Sequence, residues 1–517
     1  MKRQRPRLLT ALLILAVVPA LSFATVYTTY YVRYGGAGAQ TGADWDNAFD
    51  EIDDAFNAMP VGSSAGDTRD ITIKVGQTTG AESYSKADRS GTFRDPTYVR
   101  VEGGYDPDTD TQVGTSRIKG SGVAGTDIGL YLHKSGGDHG EFMRLEKVDR
   151  FIIEDVQIGA KVSAVVGYDS VRPNIKLYNS TVTSGQHGLQ VDWAKNYFQG
   201  PCRIVVTNST ITAGQDGGAA DGDAIWCYGG QPQIAVRDSV LTSGVGGGIY
   251  ARNECASDTT LREYFYVHLF NSQITNTADV GIYYADPNDS AYRRGYVGIR
   301  LIDSVVSGNS SNGVYVRTWN ENDWSGGNLG GEVHLFATNS VIADNGGYGI
   351  YLYGRSDTRT DSSQVELRMA NCTIADNALD AIHTRTDHNT FGTHNVQNTI
   401  IAGSGGDGID VDDGDSSGVN VTENYNDFFS NTGSDVVEAG APQGLGGNDI
   451  TDDPEFLGAG LHPYRPGTGN AVLDAGNDAV APAFDIMGVA RPQDDHVSIG
   501  AYETGPPPPA ETIVILH

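Results

Sequence analysis

Cysteine, lysine and positive charge are all scarce in this sequence. Four cysteines in 517 residues cannot supply the framework of so long a chain, which excludes a disulfide-stapled scaffold. Only 35 Lys plus Arg stand against 65 Asp plus Glu, a formal charge of −30 that excludes a nucleic-acid binder with an extended basic face. Lysine is absent after Lys195, so no lysine base can serve the remainder of the chain. Beyond residue 24 no apolar run reaches the roughly 20 residues a membrane helix needs. Glycine and aromatics are plentiful instead. The 67 glycines follow no G-X-Y period, which excludes collagen and makes a helical bundle a poor reading. The 26 Tyr, 15 Phe and 5 Trp carry too much apolar surface for a disordered chain.

The chain opens on Lys2, Arg3, Arg5 and Arg7, followed by an apolar run from Leu8 to Leu21 that closes with Ser22-Phe23-Ala24. This is the pattern of a secretory leader cleaved after Ala24. The run is shorter than a membrane span and is broken by Pro19. The expected mature protein is exported, extracellular or at the cell surface, without a transmembrane segment.

One unit recurs through the middle of the chain. LYNSTVTSG, VTNSTITAG, VRDSVLTSG, LFNSQITNT, LIDSVVSGN, ATNSVIADN, MANCTIADN and VQNTIIAGS centre on Asn179, Asn208, Asp238, Asn271, Asp303, Asn339, Asn371 and Asn398, at steps of 27 to 36 residues. Apolar residues alternate around each core, as in Val333, Leu335 and Ala337, which is the period of a strand. An apolar position follows at a fixed offset, from Val182 through Ile274 to Ile401, and then a small one: Gly188, Ala224, Gly248, Gly281, Gly313, Gly349, Ala381 and Gly408. Three short strands per unit cannot bury their inner faces alone, but stacked coils can. The predicted fold is all-β, a single-stranded right-handed parallel β-helix with about 30 residues and three strands per coil. Like residues in one column predict ladders along the axis. The Asn/Asp column is expected to form an amide ladder. The next column, Ser180, Ser209, Ser239, Ser272, Ser304, Ser340, Cys372 and Thr399, demands a small side chain and makes Cys372 a serine substitute. Cys202 and Cys227 fall on inward columns, as packed thiols or as a disulfide, and the pairing of Cys255 stays open.

This pattern resembles the parallel β-helix (PbH1) repeat of the pectin-lyase-like superfamily. The two ends resemble the secreted bacterial choice-of-anchor Q group, through YYVRYGGAGAQTGADWDNAFDEIDDAF at the start and DDPEFLG, GNAVLDAGNDA and SIGAYE at the close. The resemblance implies an exported architecture and no single reaction. The expected organisation is a leader at 1–24, an N-terminal cap at 25–69, the β-helix at 70–440, a closing module at 441–503 and a Pro-rich tail at 504–517. Within the cap, Trp45, Phe49, Ile52, Ala55, Phe56 and Met59 fall at helical spacing after Asp44, predicting an amphipathic helix over 45–59 that covers the open end of the core.

Alternation on the third strand of each coil predicts two outward stripes. The first is Gln190, Trp226, Tyr250, Tyr283, Tyr315, Tyr351, His383 and Asp410; the second is Asp192, Tyr228, Arg252, Ala285, Arg317, Tyr353, Arg385 and Asp412. Trp226, Tyr250, Tyr283, Tyr315 and Tyr351 are expected to form a flat platform on which sugars stack, with Arg252 and Arg317 donating to them. The alternative is that the aromatics only pair with one another for stability. The expected partner is a polysaccharide or cell-surface glycan, bound by a monomer. For catalysis as a polysaccharide lyase or glycoside hydrolase, His383, Arg385, His388 and Asp410 are the candidate cluster. The acidic run Asp407, Asp410, Asp412, Asp413 and Asp415 offers oxygen ligands for Ca²⁺, and Asp106, Asp108 and Asp110 are a weaker set; no other cofactor is implied. The net charge disfavours unassisted binding of a polyanion over most of the surface.

Overall fold

The structure, a computed structural model, describes residues 25–59, 68–91, 97–121, 127–135, 143–165, 173–193, 201–216, 222–229, 231–252, 262–285, 294–320, 331–356, 363–387, 390–413, 418–458, 460, 462–503 and 505. The expected leader, Cys255, His388, Asp415 and the proline run at 506–509 lie outside them. The described strands form a right-handed parallel β-helix with three sheets, of 14, 11 and 13 strands in the order in which each coil visits them. One coil runs from Glu332–Thr338 in the first sheet through Val341–Ala343 in the second to Ile350–Ser356 in the third. Inward positions stack as apolar columns: Ile274, Val306, Ile342, Ile374 and Ile401 are fully buried, each side chain contributing about 1.5–3 kcal/mol.

The polar corner between the first and second sheets has a backbone cause that alternation does not reveal. All eight Asn/Asp residues adopt left-handed backbone, with φ from 45° at Asn271 to 51° at Asn371 and Asn398, a region that Asn and Asp tolerate better than other side chains. Their ladder is interrupted. Asn208 donates to Asn179 (2.8 Å), Asn271 to Asp238 (2.7 Å), Asn339 to Asp303 (3.0 Å) and Asn398 to Asn371 (3.1 Å). Among the described residues Asp238, Asp303 and Asn371 pass no side-chain bond to the coil before them, and Asn371 donates to Ser498 O instead. A buried amide ladder runs instead through the turn after the second sheet, where Asn309 donates to Asn345 and Asn345 to Asn377, each at 2.8 Å.

The serine column forms an unbroken relay over six coils. Ser180 N–H donates to Ser209 Oγ (3.1 Å), and the step repeats through Ser239, Ser272 and Ser304 to Ser340, while each hydroxyl donates to the carbonyl two residues before it. Cys372 keeps that last contact, Sγ to Ala370 O at 3.5 Å, and burial pushes its thiol up to about 12. It is a packed serine substitute. Cys202 and Cys227 are likewise free and buried, their sulfurs 2.9 Å apart across the core.

The ends differ from expectation. Asp44 does cap a helical turn, accepting from Asn47 N–H (2.8 Å), but the turn covers only Trp45–Asn47. Phe49 then pairs with Val32 in a parallel bridge, so the predicted helix over 45–59 is cut to Ile52–Ala58, which buries Ile52, Ala55 and Phe56. The closing module folds back along the side of the helix. Phe484 O, Ser498 O and Asn477 O accept from Asn339, Asn371 and Asn398, and Ala501 N–H donates to Thr373 Oγ1. Beneath it the second sheet is apolar on its outer face too, where Val341, Ala343 and Ala375 pack with Ala501 and Tyr502, and Ile400 and Ala402 with Val472 and Ile499.

The small-residue column reflects close approach between coils. A Cβ at Gly281 would lie 2.6 Å from Gly313 O and 2.7 Å from Val306 Cγ1. Ala224 and Ala381 occupy equivalent positions, so one carbon is the limit. We expect Gly281→Ala to cost about 1–3 kcal/mol by overpacking, because its Cβ already meets the next coil, and Gly281→Val to cost more, in urea denaturation; a Gly281→Ala variant as stable as the native chain would refute this account.

Candidate functional site

Main-chain pairing in the third sheet aligns both outward stripes without a slip. Gln190, Trp226, Tyr250, Tyr283, Tyr315, Tyr351, His383 and Asp410 are successive partners, as are Asp192, Tyr228, Arg252, Ala285, Arg317, Tyr353, Arg385 and Asp412. The rings, however, do not make a flat platform. Tyr250, Tyr283, Tyr315 and Tyr351 stack face to face, with centroids 4.9, 5.3 and 4.9 Å apart and planes within 5°, and His383 continues the pile at 5.3 Å. Parallel strands put successive rings one coil apart, close to the thickness of a stacked pair, so each ring covers its neighbour's face. Ring edges and hydroxyls are what remain for a ligand. The hydroxyls of Tyr283, Tyr315 and Tyr351 make no hydrogen bond among the described residues. Burial pushes Tyr283 and Tyr351 up to about 12, which keeps both phenols protonated as donors. Trp226 takes another course and stacks with Tyr228 (5.3 Å) and His187 (5.4 Å).

The second stripe is organised by guanidinium–ring contacts. Arg317 and Arg385 stand 5.6 and 5.8 Å from the Tyr353 ring, and Arg252 stands 5.9 Å from Tyr228. Tyr353 is fixed in turn by donating to Asp387 Oδ2 (2.7 Å).

The tyrosine pile ends on a charged cluster. His383 Nδ1 lies 3.0 Å from Asp380 Oδ2 and 2.9 Å from Asp410 Oδ2, with the Tyr348 ring 4.8 Å away. Burial alone would lower this imidazole, but the two carboxylates outweigh it and hold the pKa at about 9. At neutral pH the ring is an imidazolium. It can serve as an acid or a fixed cation but not as a base. Asp380 and Tyr348 were missed in the sequence. Their signal was their place on the corner, since Tyr348 directly precedes Gly349 and Asp380 directly precedes Ala381 of the small column. Arg385 is paired with Asp387 (3.7 Å).

The acidic run is dispersed. Asp407 sits on the same corner as Asp223, Asn312 and Asp380, where a side-chain oxygen accepts a main-chain N–H of the next coil: Ser434 for Asp407, Gly247, Tyr348 and Asp407 for the others. Asp410 turns to His383, Asp412 is exposed on the second stripe, and Asp413 ends the strand Ile409–Asp413. Asp407 thus lies on the corner while Asp410 and Asp412 lie on the two outward stripes, and Asp415 falls outside the described residues. Among the described residues the one group able to surround a cation is Asp380, His383 and Asp410, with ligand atoms within 4.8 Å of one another. Asp110 is held by Lys74 (2.6 Å) and Trp45 (3.0 Å), and Asp106 caps its own turn through Asp108 N–H.

No protein-family model matches this chain, and no curated protein matches it. Among solved structures it is similar to pectate lyase Pel9A, at 13% sequence identity with a TM-score of 0.37, over 94% of this chain and 98% of that one.

The cluster predicts a specific titration. Because the folded-state pKa of His383 lies above the ordinary 6.5, its contribution to stability is complete below about 6.5 and is lost as pH rises through about 9. NMR titration of the ring should give a midpoint near 9 in the native chain, and Asp410→Asn should move it down; a native midpoint near 6.5 would refute the shared pairing.

Proposed function

We propose that this β-helix protein is exported and binds a linear, mainly neutral glycan lengthwise along its third sheet. The observation that carries the reading is the row of unpaired Tyr283, Tyr315 and Tyr351 hydroxyls about 4.8 Å apart, flanked by Arg252, Arg317 and Arg385. A repeating row of donors suits a repeating polymer of hydroxyls, each bond contributing about 0.5–1.5 kcal/mol. The stacked geometry replaces sugar-on-ring stacking with edge and hydroxyl contacts. The charge of −30 favours a neutral chain over a polyanion on this face. Export rests on the Lys/Arg and apolar pattern of residues 1–24, and membership of the choice-of-anchor Q group rests on the residues of the two ends. No helix among the described residues is long and apolar enough to cross a membrane.

A second reading, glycan cleavage on the same face, is favoured by His383 alone. An imidazolium at the end of the row, held by Asp380 and Asp410, is the kind of acid that glycosidic-bond cleavage requires. A third, a passive adhesin or envelope spacer, predicts neither binding nor cleavage.

Tyr315→Phe separates these readings, because it keeps the stacked ring and removes only the hydroxyl. Affinity electrophoresis against neutral linear glycans should show about 2- to 10-fold weaker retention for Tyr315→Phe, and more for the Tyr283→Phe/Tyr315→Phe pair. Equal retention by wild type and both variants would remove the proposal. Release of reducing ends that His383→Gln abolishes would establish the second reading instead.

A further inference from the structure

The coil that begins at Pro201 departs from the regular unit. From the corner Asn208 to the small residue Ala224 it runs sixteen residues, against nine or ten in the other seven units. Its first strand, Pro201–Thr207, opens on a proline, and pairing sets the next residue, Cys202, against Pro232 of the following coil. Neither proline has an N–H, so this end of the ladder is short of main-chain donors.

The same coil carries two cysteines that face each other. Cys202 points inward from the first sheet and Cys227 inward from the third-sheet strand Ile225–Tyr228, and their sulfurs meet at 2.9 Å across the core. That is closer than two unbonded sulfurs pack, and a disulfide would draw them together by only about 1 Å more. Both side chains are buried, at 1% and 0% exposure. Cys372 gives the contrast. It is buried to the same degree, but its Sγ meets the Ala370 carbonyl and no second sulfur among the described residues.

Burial also fixes when a bond can be made. Thiol–disulfide exchange needs a thiolate that a reagent can reach. The contact with Cys202, and then burial, hold the Cys227 thiol well above its ordinary value, so the closed coil supplies no such thiolate. We propose that Cys202 and Cys227 form a disulfide as this coil folds, a covalent tie between the first and third sheets through the interior of one coil. The oxidant is the disulfide of a small thiol or of an exchange protein outside the cytoplasm, and for that oxidant the inference rests on the export read from residues 1–24. One cysteine thiolate attacks a sulfur of the external disulfide and expels a thiolate; the other attacks the mixed disulfide and expels the second. The cysteines give up two electrons and two protons, and the external disulfide leaves as two thiols that carry them. The tie closes a loop between residues 25 apart and removes freedom from the unfolded chain, in the coil with the longest path between its second and third strands. It also pins the strand that presents Trp226 and Tyr228, whose rings stack at 5.3 Å on the outward face.

Refolding tests the pair separately from export. The full chain, reduced and denatured, is refolded in a buffer of glutathione and glutathione disulfide, alkylated in guanidinium without reductant and mapped by peptide mass spectrometry. A Cys202–Cys227 linkage should be found in most molecules, with Cys372 alkylated. The folded product should keep the linkage in excess dithiothreitol and lose it when guanidinium is added. The urea midpoint of the oxidised chain should exceed that of the chain held in dithiothreitol by on the order of 1 M, a difference that Cys202→Ala/Cys227→Ala should abolish. The proposal is overturned if both cysteines are alkylated after refolding, if Cys255 replaces either partner, or if dithiothreitol opens the bond equally fast with and without guanidinium. The same map is made on chain recovered from an exporting host. Linkage there supports the whole inference, whereas linkage on refolding alone would overturn export and leave the pairing supported.

Discussion

Everything in this molecule answers to the repeat distance of parallel main-chain pairing. With each coil about 4.8 Å above the last, every side chain lies against its counterpart one coil away, and a residue type survives in a column only if it tolerates its own kind. Aliphatic side chains do so by packing, serine and asparagine because each both donates and accepts, and tyrosine because its rings stack. Aspartate lacks the amide donor, and the corner ladder stops at Asp238 and Asp303, and again at Asn371, whose amide turns to Ser498 O in the closing module. The magnitudes divide the labour. Buried aliphatic columns contribute about 1.5–3 kcal/mol per side chain, whereas polar rungs contribute about 0.5–1.5 kcal/mol and instead penalise a slipped register.

Much of this was legible because column identity is a one-dimensional property. The alternation, the corner Asn/Asp, the serine column and the outward pairing of Tyr250 through His383 could all be read from spacing, and the strand register repeats them residue for residue. What escaped was whatever depends on torsions. The corner residues are Asn and Asp because φ is near +50°, which no hydrophobic pattern encodes. The tyrosines pile up instead of lying flat because of how each ring turns about its own side-chain bonds. Sequence proximity in the acidic run near Asp410 also hides that Asp407 belongs to the corner and Asp410 to the face. The fold-back of the closing module had left a trace that could have been used. The outward residues of the second sheet change from Thr181, Thr210 and Thr212 to Val341, Ala343, Ile400 and Ala402, as they must where another layer covers them.

Charge is distributed with the same dependence on position. Asp380 and Asp410 converge on His383 from neighbouring coils and hold it as a cation, while Arg300, with no ion pair among the described residues, keeps its charge exposed. The two faces therefore offer different chemistry on one scaffold, a row of neutral donors on the third sheet and an exposed arginine on the first. Net charge describes neither.

The serine relay bears on how such a chain can change over generations. Each main-chain N–H reaches the hydroxyl of the following coil, and that hydroxyl closes on its own coil, so the bond pattern is the same at every joint. Gaining or losing one whole coil leaves each remaining joint as it was, whereas gaining one residue inside a strand turns every later side chain to the wrong face. The number of coils is thus open to variation by duplication of entire units, and every column can lengthen without a new interaction being invented.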